Sequence, residues 1–89
     1  MVAILTEGLC ELGLLEGRPE TLITKEAYKP FYMHSSGHWL GLDVHDAGAY
    51  KISEAWRSLE PGMVLTVEPG LYIPSLKNID PVWWGLGVR

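Results

Sequence analysis

A single cysteine, Cys10, stands in 89 residues, so the chain closes no internal disulfide and builds no thiolate zinc cluster. Basic residues are also few. Seven Lys and Arg against eleven Asp and Glu leave a formal net charge of -4, which argues against a surface for DNA or RNA, and nucleic acid is not an expected partner. No apolar stretch approaches the ~18 residues that cross a bilayer, so no membrane partner is expected either. No basic stretch precedes Val2 to Leu5, and Glu7 follows closely, so neither a signal nor a transit peptide is legible. The expected location is cytoplasmic. Length excludes a two-domain enzyme, because a single core ordinarily takes on the order of 100 residues. What remains is rich in apolar residues, at 47 % hydrophobic and 20 % charged, a balance that packs rather than staying disordered.

Val2, Leu5, Leu9 and Leu12 recur every three or four residues, with Glu7 and Glu11 on other faces, and predict an amphipathic helix from residue 2 to about 15. No Ser, Thr, Asp or Asn precedes it as a cap, and Gly13 or Gly17 stops it. Pro19, at the first position of a segment running to about residue 28, predicts a short second helix that Pro30 ends. The rest is punctuated by glycines between stretches rich in Val, Leu, Tyr and Trp, the texture of strands and turns. Met63 to Val67, between Pro61-Gly62 and Pro69-Gly70, predicts a buried strand, with Leu71 to Ile73 continuing after the second turn. Val82, Trp84, Leu86 and Val88 alternate with other residues and predict one further strand running to Arg89. The four tryptophans and four tyrosines are expected to supply much of the core. Elements that run into both termini predict a piece of a larger domain.

All three histidines, His34, His38 and His45, fall within twelve positions. Gly37 and Gly41 disfavour a helix between them, and no Glu follows His34, so a zinc-binding helix is excluded. In an extended segment His34 and His38 share one side, and His45 takes the other unless a bend intervenes. Spacing alone leaves open whether these are site residues or ordinary histidines with hydroxyl or backbone partners. Glu68 ends the apolar run Met63 to Val67, where an ionised carboxylate needs an ion pair, a cation or solvent at a turn. Tyr72, four residues further, is placed to line the same cavity. Asp43 and Asp46 flank His45, and Arg89 can pair with a carboxylate or simply end the chain.

Two segments carry a resemblance. His34-Ser35-Ser36-Gly37-His38-Trp39-Leu40-Gly41-Leu42-Asp43-Val44-His45-Asp46, followed by Leu59-Glu60-Pro61-Gly62-Met63-Val64-Leu65-Thr66-Val67-Glu68-Pro69-Gly70-Leu71-Tyr72-Ile73, resembles the C-terminal catalytic portion of the Xaa-Pro aminopeptidases, within the pita-bread metallopeptidase family. The likeness extends from about Ala3 to Arg89. It implies an α+β class, a partial pita-bread fold with an N-terminal helix followed by curved antiparallel strands, and residues 1-89 as a fragment of the C-terminal catalytic domain. It also implies a cytoplasmic peptidase that removes the N-terminal residue ahead of proline, using a dinuclear divalent metal, usually manganese (Mn2+).

By the same resemblance His38 and Glu68 are metal ligands, and His34, His45 and Glu68 are catalytic. Tyr72 and Arg89 line the substrate site. Carboxylate oxygens with one imidazole suit manganese, and neighbouring histidines can meet charge developing on the scissile carbonyl oxygen. The family's other three ligands match nothing in this chain, so it is expected to bind metal weakly and to be inactive alone. Faces left bare by a missing partner half imply a homo-oligomer. The competing reading is a non-catalytic binding or assembly module derived from the same fold.

Overall fold

Gly13 decides where the first helix ends. With φ of 70° it takes the left-handed turn that other residues enter at a cost, and the chain reverses over it. The Gly13 amide donates to the Cys10 carbonyl and the Leu14 amide to that of Leu9, a Schellman closure that satisfies the last helical carbonyls. Helix α1 is therefore Val2–Glu11, shorter than its apolar periodicity by a turn, and it starts without a side-chain cap as expected. Helix α2, Pro19–Thr24, begins on the expected proline and also stops early.

The computed structural model describes all 89 residues. Its chain divides into two compact units, Met1–His34 with Pro69–Arg89, and Ser35–Glu68. In the first, α1 packs on α2, and β3 (Leu71–Tyr72) pairs antiparallel with β4 (Gly87–Val88), Leu71 opposite Val88. Leu9, Phe31, Ile73 and Ile79 form the core, with Leu14, Leu15, Tyr28, Leu71 and Trp83 packed around it. Leu9 is fully buried, which contributes roughly 1.5–3 kcal/mol. Thr6, equally buried, satisfies its hydroxyl by donating to the Val2 carbonyl at 2.8 Å.

The expected strand over 82–88 is corrected. Asp80 accepts the Val82 amide at 3.0 Å and Pro81 presets the next φ, so Pro81–Trp83 winds into a 3₁₀ turn. Gly85 then turns the chain at φ 78°, leaving only β4 extended. The aromatic core is present only in part. Tyr32 is buried, and Tyr28 and Trp83 pack against the aliphatic centre and Phe31, whereas Trp56 is 76 % exposed and Trp84 is also exposed. Trp84 instead donates its indole N–H to the Ile79 carbonyl at 3.1 Å, using its polar edge near the surface.

The second unit contains two antiparallel pairs. The Glu68 amide donates to the Ser36 carbonyl (2.8 Å), the Thr66 amide to that of His38 (2.9 Å), and the Leu40 amide to that of Val64 (3.0 Å), with Trp39 opposite Leu65. Met63 to Val67 is thus extended, but it is not buried. Val67 is 71 % exposed and Val64 more than half, because a two-strand ladder has no second layer to cover its apolar face.

The hairpin β1 (Lys51–Ile52) to β2 (Ala55–Trp56) turns in two residues, Ser53 and Glu54, at φ 48° and 67°. That geometry suits Asn-Gly, and a side chain in the left-handed region costs about 1–2 kcal/mol. The double substitution Ser53→Asn, Glu54→Gly should therefore stabilise the unit by roughly 1 kcal/mol, read as a higher denaturation midpoint or slower exchange of the Arg57 amide, which donates to the Tyr50 carbonyl across the hairpin. Unchanged or lower stability refutes the turn assignment.

Candidate metal centre

The ladder pairs Ser36 with Glu68, His38 with Thr66 and Leu40 with Val64. Residues opposite one another project on the same face, and so do neighbours two positions along. His38 and Glu68 therefore stand diagonally on one face, and the His38 Nε2 lies 3.0 Å from Glu68 Oε1. Both side chains are about four-fifths buried, at 19 % and 21 % exposed. The carboxylate at the end of the apolar run has its partner.

The other nitrogen of the ring determines what that pair can hold. His38 Nδ1 is 2.8 Å from the Trp39 carbonyl oxygen, which can only accept, so Nδ1 carries a proton. In the neutral imidazole, Nε2 then presents a lone pair to a carboxylate oxygen 3.0 Å away, two acceptors facing one another. Such an arrangement is relieved by a cation shared between them, either a second proton on the ring or a metal ion. An imidazole oriented through its far N–H by a carbonyl, beside a carboxylate, is a donor set that suits a divalent metal. The pair brings two such groups together. No cluster of three or more His, Cys, Asp and Glu side chains in it is arranged to hold an ion.

His45 joins this group because the bend that its expected position required is present. The Gly41 amide donates to the Asp43 carbonyl at 3.2 Å and the Asp46 amide to that of Trp39 at 3.1 Å. The chain folds back, and the His45 ring meets that of His38 edge-on, centroids 4.3 Å apart. Asp46 contributes through its backbone, and Asp43 is exposed.

The remaining expected site residues lie in the first unit, and they too converge. Arg89 donates from Nε to the Tyr72 hydroxyl at 2.9 Å, and that hydroxyl is 3.0 Å from His34 Nε2. A second guanidinium nitrogen of Arg89 is 3.4 Å from the same histidine nitrogen. Tyr32 packs edge-on against the His34 ring, centroids 4.9 Å apart. Arg89 is thus held by a specific partner rather than frayed. Local pairing places it, since Gly87 sits opposite Tyr72 in the β3–β4 register.

Three features of the site were not legible from the spacing of the histidines. They are the Trp39 carbonyl under His38, the stacking of Trp39 on Tyr50 at 5.6 Å, and the Thr66 hydroxyl, which accepts the His38 amide at 3.0 Å. Thr66 shares the parity of Glu68, which is a signal, but only the register between the two strands gives it meaning.

Comparison with known proteins gives the family. The chain is 52 % identical over all 89 residues to the Xaa-Pro aminopeptidase of Haemophilus influenzae and 51 % identical to that of Escherichia coli. It spans about a fifth of the length of each. Among solved structures, the aminopeptidase PepP of Pseudomonas aeruginosa superposes with a TM-score of 0.93 and 57 % identity over 99 % of this chain and 20 % of that one. With its helices and short antiparallel strands the chain is an α+β fragment of that fold. Residues 9–89 match the model of metallopeptidase family M24, and the chain belongs to that family.

Proposed function

We propose that this chain forms one wall of the dinuclear site of an Xaa-Pro aminopeptidase, which removes the N-terminal residue from peptides carrying proline second. The observation that carries this reading is the His38–Glu68 pair, 3.0 Å apart, with the imidazole oriented by the Trp39 carbonyl. The roles are those the family resemblance gives these positions, and their chemistry suits them. His38 Nε2 and the Glu68 carboxylate hold metal, with manganese favoured by a carboxylate-rich set that the remainder of such an enzyme would complete. A divalent metal bound there supplies Lewis acidity toward the scissile carbonyl and lowers the pKa of water.

Glu68 accepts the proton of the attacking water, and His45, against the His38 ring, and His34 can donate to the oxygen on which negative charge develops. The Tyr72 hydroxyl and the Arg89 guanidinium line the substrate side, their mutual hydrogen bond fixing both. The partner is a peptide substrate, the setting cytoplasmic.

Two donors leave most positions of a divalent ion to other ligands, so the 89-residue chain should bind manganese weakly and hydrolyse Xaa-Pro peptides not at all. Manganese titration followed by paramagnetic broadening, with a parallel hydrolysis assay, tests this. Broadening centred on His38 and Glu68 without turnover is expected, whereas broadening elsewhere refutes the ligand assignment. Turnover at an enzyme's rate refutes the need for further residues.

Leu42, Val44, Val64 and Val67 are all exposed in the Ser35–Glu68 unit, as are Ile4, Val82, Leu86 and Val88 in the other. Apolar surface and unpaired strand edges of this kind drive self-association. Light scattering at micromolar concentration should find dimers or larger species. A monodisperse monomer refutes the homo-oligomer.

A further inference from the structure

The rung between His38 and Thr66 departs from an ordinary antiparallel ladder. Residues facing each other across a hydrogen-bonded pair normally exchange two N–H···O=C bonds. One is present, from the Thr66 amide to the His38 carbonyl at 2.9 Å. The return bond does not run to the Thr66 carbonyl. The His38 amide donates instead to the Thr66 side-chain hydroxyl at 3.0 Å, and that hydroxyl lies 3.5 Å from the His38 carbonyl. The main-chain carbonyl it replaces is turned toward Gly37, where a Cβ would lie 2.1 Å from its oxygen.

We propose that Thr66 is a positioning residue for the metal ligand His38: its hydroxyl stands in for a main-chain acceptor and fixes the His38 backbone on the strand that carries Glu68. The inference rests on the reading of His38 and Glu68 as ligands. A ligand separation of 3.0 Å demands that the Cα of His38 be held, since one end of the imidazole is already tied to the Trp39 carbonyl. Both backbone polar groups of His38 are held by Thr66, the carbonyl by its amide and the amide by its hydroxyl. Valine has the same shape and no acceptor. In Thr66→Val the His38 amide must either lose its bond or reclaim the Thr66 carbonyl from its place beside Gly37, and either moves the imidazole.

The test is nuclear magnetic resonance on the whole ¹⁵N-labelled chain, about two pH units above the ordinary histidine value of about 6.5. Three readouts are taken: exchange of the His38 amide, the tautomer of the His38 ring, and the manganese concentration that half-broadens its signals. Thr66→Ser, which keeps the hydroxyl, should leave all three as in the unaltered chain. Thr66→Val should speed exchange of the His38 amide about fivefold, as loss of a hydrogen bond of about 1 kcal/mol implies. It should reduce the share of the Nδ1–H tautomer and raise the half-broadening concentration about tenfold or more, the range for outer partners of metal ligands. Thr66→Val indistinguishable from the unaltered chain overturns the proposal, and so does Thr66→Ser as impaired as Thr66→Val, since only the methyl then matters. Should Thr66→Val unfold, Thr66→Ser and the unaltered chain decide: a fast-exchanging His38 amide in either overturns it. Protection at His38 and an Nδ1–H ring without any manganese broadening would refute the ligand reading and leave the role of Thr66 in placing His38 intact.

Discussion

Gly37→Ala should dismantle the Ser35–Glu68 unit. A Cβ built on Gly37 meets the Thr66 carbonyl oxygen at 2.1 Å and its carbon at 3.1 Å, and both belong to backbone that hydrogen bonds hold in place. No rotamer change relieves such a contact. The strands must separate, which loses the Thr66-to-His38 and Glu68-to-Ser36 rungs, at a cost of about 2–4 kcal/mol. Amide exchange at Thr66 and Glu68 measures it, and both should approach unprotected rates. Gly8→Ala is the contrast. Gly8 lies inside α1 with nothing within 4 Å of its added Cβ, so the methyl should stabilise the helix by about 0.5–1 kcal/mol. Gly41→Ala falls between them, because its Cβ meets the carboxylate of Asp46, a side-chain tip that can swing aside. Native-like protection in Gly37→Ala refutes the close approach of Thr66 to residue 37.

On the ligand set proposed above, Glu68→Gln should abolish manganese binding while leaving the fold intact. Its side-chain amide can donate to the His38 Nε2 lone pair across the same 3.0 Å, replacing two facing acceptors with an ordinary hydrogen bond. The neutral amide is a poor ligand for a hard cation. The loss should exceed the roughly 10–100-fold that removal of an outer partner of a metal ligand costs, because a donor itself is gone. Paramagnetic broadening of the His38 signals gives the affinity, and amide dispersion gives the fold. Glu68→Gln that still draws manganese to His38 at the native concentration removes Glu68 from the ligand set.

The histidine cluster, the carboxylate after the Met63 to Val67 run and the helix over the first residues were all legible in sequence, because each depends on local chemistry. Pro19 at a helix start and Gly13 at a helix end act through their own dihedral preferences. The same local reasoning misassigned Val82 to Leu86, where alternation suggested a strand that in fact forms only at Gly87–Val88. Asp80 and Pro81 began a 3₁₀ turn there, and that capping bond outweighed a weak period-two pattern. It also expected burial of Met63 to Val67 from apolar content, although burial depends on what covers a face and not on the face itself.

Sequence by itself determined which residues can do chemistry: three imidazoles, one carboxylate at a strand end, a tyrosine and an arginine, in motifs specific enough to point to one peptidase family. Tertiary structure alone decided that Ser36 pairs with Glu68, so that His38 and Glu68 share a face, and that a bend returns His45 to His38. It alone set the imidazole tautomer, through a carbonyl that every residue possesses and no sequence marks. The physical reason is that strand side chains alternate with period two. A slip of one residue would leave composition and motif unchanged and send Glu68 to the opposite face, so register, a property of two distant segments together, makes the site.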